Sequence, residues 1–215
     1  MQRGVFISLE GGEGVGKTTI LDALKVAAQF SSHDFVFTRE PGGSERAENL
    51  RKILLEGTNS DFMSVETEAL IISAARSDHI DNLIMPALDD GKVVICDRYT
   101  DSTRAYQGNN IQDCLLDCLF SLSTHNLEPD LTILLDADPE ILLARRKERG
   151  EANDRFEARG LEFHKSVRDA FLEISRKHPE RVEVINAAQD PLSVQNEVFA
   201  LLSRRFQIQF HLHAD

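Results

Sequence analysis

Cysteine is scarce, with three residues among 215, at positions 96, 114 and 118. An odd number without paired spacing excludes a disulfide framework. Cys114 and Cys118, four residues apart, read as one face of a helix rather than as half of a metal site. Proline and glycine are few as well, 6 and 12 residues. With no repeat and no low-complexity tract, a collagen-like or disordered chain is excluded, and disorder is expected only at the ends. No apolar run approaches the roughly 20 residues of a membrane span, and a glycine-rich loop begins too early to leave room for the apolar core of a signal peptide. A cytoplasmic protein with no membrane partner is expected. Positive charge is in the minority: 24 Lys and Arg against 36 Asp and Glu give a formal net charge of -12. The long-range field of such a chain repels phosphate polymers. Nucleic acid is therefore not an expected partner, and any phosphate site has to be built locally.

What is present is an ordinary globular composition, 41% hydrophobic and 28% charged, at a length suited to one α/β domain. Short β-rich apolar runs lie at Val5–Leu9, Phe35–Phe37, Val93–Cys96, Leu131–Leu135 and Val182–Ile185, separated by longer helical stretches. That alternation predicts a five-stranded parallel sheet with helices on both faces, a three-layer αβα architecture. Asp138-Pro139 and Asp190-Pro191 each offer an N-cap followed by proline at the first helical position, and Gly57, Gly91 and Gly150 stand where helices should stop. Phe163, Val167, Ala170, Phe171 and Ile174 recur at helical spacing as a core stripe. Residues 1–206 are expected to form one domain, followed by a tail over 207–215 whose His211 and His213 read as a frayed terminus.

Between the first apolar run and the next helical stretch stands Gly11-Gly12-Glu13-Gly14-Val15-Gly16-Lys17-Thr18-Thr19. Its first eight residues fit G-x-x-x-x-G-K-[ST], and they sit in the strand–loop–helix context that pattern requires. Such a loop turns backbone N–H groups toward a polyphosphate at the positive end of a helix. Lys17 adds a point charge, and the Thr18 hydroxyl can ligate Mg²⁺. The nine residues are the candidate ATP site of a P-loop NTPase fold. Asp97-Arg98 follows the third apolar run; the carboxylate can reach the Mg²⁺ shell and the arginine a second phosphate, although such a pair by itself is as often a surface ion pair. A third element, residues 145–160, is dense in both charges and broken by Gly150 and Asn153. It reads as a mobile surface flap whose arginines (145, 146, 149 and 155) either stabilise a transferring phosphoryl group or pair locally at a helix end.

The P-loop, "FTREPGG" at 37–43, "AAR" at 74–76, "DRYTDSTRAYQG" at 97–108 and the lid ending "ERGE" occur in one order and spacing. In these features the chain resembles bacterial-type thymidylate kinases over residues 4 to about 204. The resemblance implies a P-loop nucleoside monophosphate kinase, usually a homodimer, which moves the γ-phosphate of ATP to dTMP with Mg²⁺. It implies that Glu13 turns from the donor phosphates to the 3′-hydroxyl of the acceptor sugar, and that Arg149 leads and Arg145 seconds a lid over about 145–157. Gly14 stands where one branch of the family has a P-loop arginine, and Lys147 where bacterial relatives often have another arginine. For the acceptor it implies Arg98 and Arg51 at the monophosphate, Arg76 at the thymine edge, and Tyr106 against the deoxyribose. Arg39, Pro41, Gly42, Ser102, Thr103 and Gln107 lie along the same pocket. With Lys17, the catalytic set is then Arg98, Arg149 and Arg145, and the metal ligands are Thr18 and Asp97. One departure stands out: Ile72 occupies the position, four before Arg76, where the family commonly stacks an aromatic ring on thymine. A kinase for another nucleoside monophosphate or for a deoxynucleoside would keep the P-loop and change the acceptor motifs. A GTP-driven switch would need an N-K-x-D motif, which the sequence lacks.

Overall fold

The computed structural model describes residues 3–55, 63–108, 110–148 and 160–210. Strands and helices alternate as β1 (Val5–Glu10), α1 (Lys17–Ala28), β2 (Phe35–Arg39), α2 (Glu45–Leu55), α3 (Val65–His79), a π-helical turn (Ile80–Ile84) and α4 (Met85–Asp89). They continue as β3 (Val93–Asp97), α5 (Thr100–Gln107), α6 (Asp113–Thr124), β4 (Leu131–Asp136), α7 (Pro139–Glu148), α8 (Leu161–Lys177), β5 (Val182–Asn186) and α9 (Pro191–Phe206). The strands form one five-stranded parallel sheet in the order β2-β3-β1-β4-β5. Every strand runs one or two residues past its apolar stretch and ends on a polar side chain: Glu10, Arg39, Asp97, Asp136 or Asn186. Backbone pairing does not stop where hydrophobicity stops, and the carboxyl ends of parallel strands are where ligands bind in open α/β sheets.

By close contacts the chain divides into two compact units, Met1–Ser8 with Phe35–Asp130, and Leu9–Asp34 with Leu131–Asp215. In the first, Phe6, Ile80, Ile84, Leu88, Val94, Cys96 and Tyr99 form a buried cluster. The Phe6 and Tyr99 rings meet edge to face with centroids 4.9 Å apart, the arrangement the ring quadrupole favours. The phenol of Tyr99 donates to the Leu127 carbonyl at 2.9 Å, and burial pushes its pKa well above the usual value. The β2–β3 register sets Arg39 beside Asp97, so the two motifs that contain them end side by side.

In the second unit, β4 pairs with β5 from Thr132↔Val182 to Asp136↔Asn186. The expected stripe on α8 is present: Val167, Phe171 and Ile174 are buried and Phe163 and Ala170 half-buried, while His164 joins the buried set. Both expected proline starts hold. Asp138 accepts from the Glu140 N–H at 2.9 Å and Asp190 from the Ser193 N–H at 3.0 Å, each relieving an orphan donor of the first turn. Arg168 spans from α8 to β4, donating to both carboxylate oxygens of Asp136 at 2.8 and 2.9 Å and to Asp138 at 3.2 Å. Gly91 follows α4 as expected. Gly57, Gly150 and residues 149–157 of the expected lid lie outside the described residues.

Candidate active site

The glycine-rich loop belongs to the second unit and lies between β1 and α1, the strand–loop–helix context its pattern requires. Gly11, at φ +137°, lies so close to β4 that a Cβ there would come within 2.5 Å of the Leu135 carbonyl oxygen. Only glycine permits both that conformation and that approach. Gly16, at φ +105°, turns the chain into α1. The first turn of this helix carries no acidic residue and its N-cap makes no side-chain hydrogen bond, which leaves its N–H groups and positive end for an anion. Lys17 is buried, and its Nζ donates to the carbonyls of Gly11 and Gly12 at 2.9 and 3.0 Å. Thr18 and Thr19 are exposed, Glu13 is half-buried, and Val15 packs into the core.

Except for Glu13, the residues expected at the acceptor lie in the first unit. Arg98, directly after β3, has φ 71°, a left-handed conformation that non-glycine residues seldom adopt and that clusters at functional positions. Its guanidinium donates to the Ser102 hydroxyl at 3.0 Å and lies 5.1 Å from the ring centroid of Tyr106, so α5 holds the side chain at two points one turn apart. Gln107 Nε2 donates to Glu68 at 3.2 Å, while Gln107 Oε1 is buried without a hydrogen-bond partner. Asp97 Oδ1 is in the same state.

Arg76 is the largest fully buried side chain, 1% exposed. Nε donates to Glu40 Oε2 at 2.7 Å and Nη2 to Thr103 at 2.9 Å. Its charge also faces the Tyr99 and Phe120 rings at 5.2 and 5.8 Å. Nη1 is buried and has no hydrogen-bond partner. A buried guanidinium with one orphan nitrogen is an unfinished donor set, short of one acceptor. Ile72, one turn earlier on α3, is half-buried.

The "REPGG" segment closes this region. Arg51 Nη1 donates to the Pro41 carbonyl at 2.7 Å, and Arg39 pairs with Glu48 at 3.0 Å. The Gly43 N–H, chiefly, and then Arg39 hold the Glu48 carboxyl below the usual carboxylate range. Burial, with Arg39 nearby, lowers the pKa of Arg51. Of the expected acceptor residues, Arg39, Pro41, Arg51, Ile72, Arg76, Arg98, Ser102, Thr103, Tyr106 and Gln107 all belong to this unit, whereas Glu13 belongs with the P-loop.

Arg145 is engaged: its guanidinium donates to the carbonyls of Ala187 (3.0 Å), Ala188 and Gln189 at the start of the loop before α9. Arg149 lies outside the described residues. Cys114 and Cys118 are free, exposed and on one helix, α6. Sequence reasoning passed over Glu40, His79, Thr38 and Glu48. The signals available were faint: Glu40 sits inside a quoted motif, and His79 follows Arg76 by three residues on α3. Glu40, His79 and Cys96 bring three metal-capable atoms within 4.8 Å of one another. Even so, the carboxylate already bonds the Arg76 cation and the Cys96 thiol donates to the Arg98 carbonyl at 3.1 Å, so the group is a hydrogen-bonded network with its own positive charge.

Known proteins resemble this chain over most of its length. The sequence model of the thymidylate kinase family matches residues 9–198. A thymidylate kinase of Symbiobacterium thermophilum is 44% identical over 209 residues, covering 94% of this chain and 96% of that protein. One of Caulobacter vibrioides is 46% identical over 190 residues, covering 87% and 90%. The crystal structure of thymidylate kinase from Ehrlichia chaffeensis superimposes with a TM-score of 0.73 at 34% identity, covering 94% of this chain and 99% of that one. A P-loop entering α1, a strained arginine after β3 and a buried arginine on α3, together with matches over nearly the whole length, place this chain in the thymidylate kinase family.

Proposed function

We propose that this protein transfers the γ-phosphate of ATP to dTMP, giving dTDP and ADP, in the synthesis of dTTP. The observation that carries the choice of acceptor is Arg76, fixed by Glu40 and Thr103 with Nη1 left as an orphan donor. A pyrimidine with a carbonyl at position 4 accepts from that nitrogen, whereas an exocyclic amino group there opposes a donor with a donor. Arg98 and Arg51 take the monophosphate, and Tyr106, held against Arg98, occupies the space of a 2′-hydroxyl. Gln107, Ser102 and Thr103 line the same acceptor half.

ATP is held by Gly11 to Thr19. Lys17 exchanges its carbonyl partners for phosphate oxygens, and in-line transfer then needs little covalent help from the protein, because positioning and charge stabilisation do most of the catalysis. Mg²⁺ suits the residues present, since Asp97 Oδ1 is a buried carboxylate oxygen with no hydrogen-bond partner. Asp97, directly or through water, and the Thr18 hydroxyl would hold the ion, which when bound neutralises charge on the phosphates. Arg149, with Arg145 in support, supplies lid charge to the transition state, and Glu13 bonds the acceptor sugar.

A homodimer is proposed as well. Leu70 on α3 and Leu115 and Leu122 on α6 are 56%, 54% and 76% exposed, apolar side chains on two mutually packed helices that a second copy would cover. No described helix is long and apolar enough to cross a membrane, and a cytoplasmic location and a single kinase domain over 1–206 are part of the same reading. The test is ADP release with dTMP, dUMP, dCMP and AMP side by side. The expected order of kcat/KM puts dTMP first and AMP and dCMP far below; preference for AMP or dCMP would overturn the assignment.

A further inference from the structure

The guanidinium of Arg76 is the end of a chain of side-chain contacts that runs through Glu40 and His79 to Thr38. Glu40, 3% exposed, accepts from Arg76 Nε through Oε2. Its other oxygen, Oε1, lies 3.2 Å from His79 Nδ1. A carboxylate can only accept, so Nδ1 carries the proton. In the neutral ring Nε2 is then the acceptor, and it meets the Thr38 hydroxyl at 2.7 Å. Thr38, His79, Glu40 and Arg76 therefore form one directional chain running from β2 through α3 to the orphan nitrogen.

The loop after Pro41 clamps this chain. A Cβ on Gly43 would stand 2.2 Å from His79 Nε2 and 2.4 Å from Thr38 Oγ1, at a backbone φ of +91°. The Gly43 N–H meanwhile donates to Glu48 at 3.0 Å, and Glu48 in turn holds Arg39. The segment that carries Arg39 and Pro41 thus presses on the imidazole that orients Arg76. Buried hydrogen-bond networks in which each member is satisfied are stiff, and a half-satisfied one loses its definition.

We propose that Thr38, Glu40 and His79 are positioning residues that set the acceptor-base selectivity of Arg76, and that His79 does so without touching the nucleotide. This rests on the reading of the first unit as the dTMP-binding half. Were His79 only a core residue, replacing it would lower stability and affect all substrates alike. As a positioning residue it acts on the base edge: the carboxylate loses one anchor, Arg76 gains freedom, and the donor aimed at the base carbonyl is blurred. ATP, held in the other unit, is unaffected.

The experiment compares Thr38→Val, His79→Leu and His79→Asn with the unaltered enzyme, measuring kcat and KM for dTMP, dUMP and dCMP, KM for ATP, and melting temperature. Thr38 is half-buried, and valine keeps its shape, so this variant folds even if a replacement at the fully buried His79 does not. Expected are a rise of about 5- to 10-fold in KM for dTMP in Thr38→Val and His79→Leu, the size of one lost hydrogen bond. KM for ATP should stay within about 2-fold, and preference for dTMP over dCMP should fall. His79→Asn, whose amide can replace Nδ1–H, should recover most of the loss. Unchanged KM for dTMP in Thr38→Val, or parallel rises for dTMP and ATP, would overturn the inference. Failure of the unaltered enzyme to phosphorylate dTMP would instead overturn the proposed function.

Discussion

Ile72 is the position where this chain departs from the resemblance, and replacing it with phenylalanine tests how the base is held. A ring stacked on the base is worth about 0.5–1.5 kcal/mol beyond area burial, which is roughly 2- to 12-fold in affinity at 1.4 kcal/mol per decade. Against this stands overpacking, which costs about 1–3 kcal/mol in a close-packed core. For a chain of this size that means a fall of about 2–4 °C in melting temperature per kcal/mol. The structure favours the gain, because Ile72 is half-buried, while Ala69 and Ser73 beside it on α3 are buried. The larger ring therefore meets a boundary and not a filled interior. Ile72→Phe should bind dTMP several-fold more tightly by calorimetric titration, with melting temperature within about 2 °C of the unaltered protein. Unchanged affinity together with a drop of several degrees would show that Ile72 is structural and that Arg76 alone reads the base.

Lys17→Ala should lower turnover by about two or more orders of magnitude, the loss of a preorganised charge; near-normal kcat would remove Lys17 from the transition state. Its hydrogen bonds to Gly11 and Gly12 predict a small loss of stability as well, read by thermal melting. Tyr106→Ala should admit the ribonucleotide and narrow the gap in kcat/KM between the two sugars, and an enzyme already indifferent to the 2′-hydroxyl would refute this. For Glu48, whose carboxyl is held below its ordinary value of 4.5 by the Gly43 N–H and Arg39, the stabilisation is complete above that value and is lost as pH falls through the depressed folded pKa. The melting-temperature gap between the unaltered protein and Glu48→Gln should thus be constant from neutrality to about pH 4.5 and close below it; a gap that widens in acid would refute the assignment.

The sequence by itself determined the layer order and the donor site. Apolar runs alternating with amphipathic stretches permit few arrangements other than a covered parallel sheet, and Asp-Pro pairs at 138–139 and 190–191 fix helix starts through local backbone chemistry alone. The P-loop is legible for the same reason: its glycines, Lys17 and Thr18 are contiguous, so their spacing carries the mechanism. Arg51, Arg76, Arg98 and Tyr106 could be named from a resemblance but not joined, because they reach one unit from α2, α3, the end of β3 and α5. Nor does the sequence show that Arg145, expected in the lid, donates to the carbonyls of residues 187–189, more than forty residues away in the chain. Tertiary structure alone decided which nitrogen of Arg76 is left over and that Glu40 and Thr103 hold the other two. Hydrogen-bond satisfaction is a property of neighbours in space, and Thr38, Glu40, His79 and Thr103 become neighbours only when β2, α3 and α5 pack.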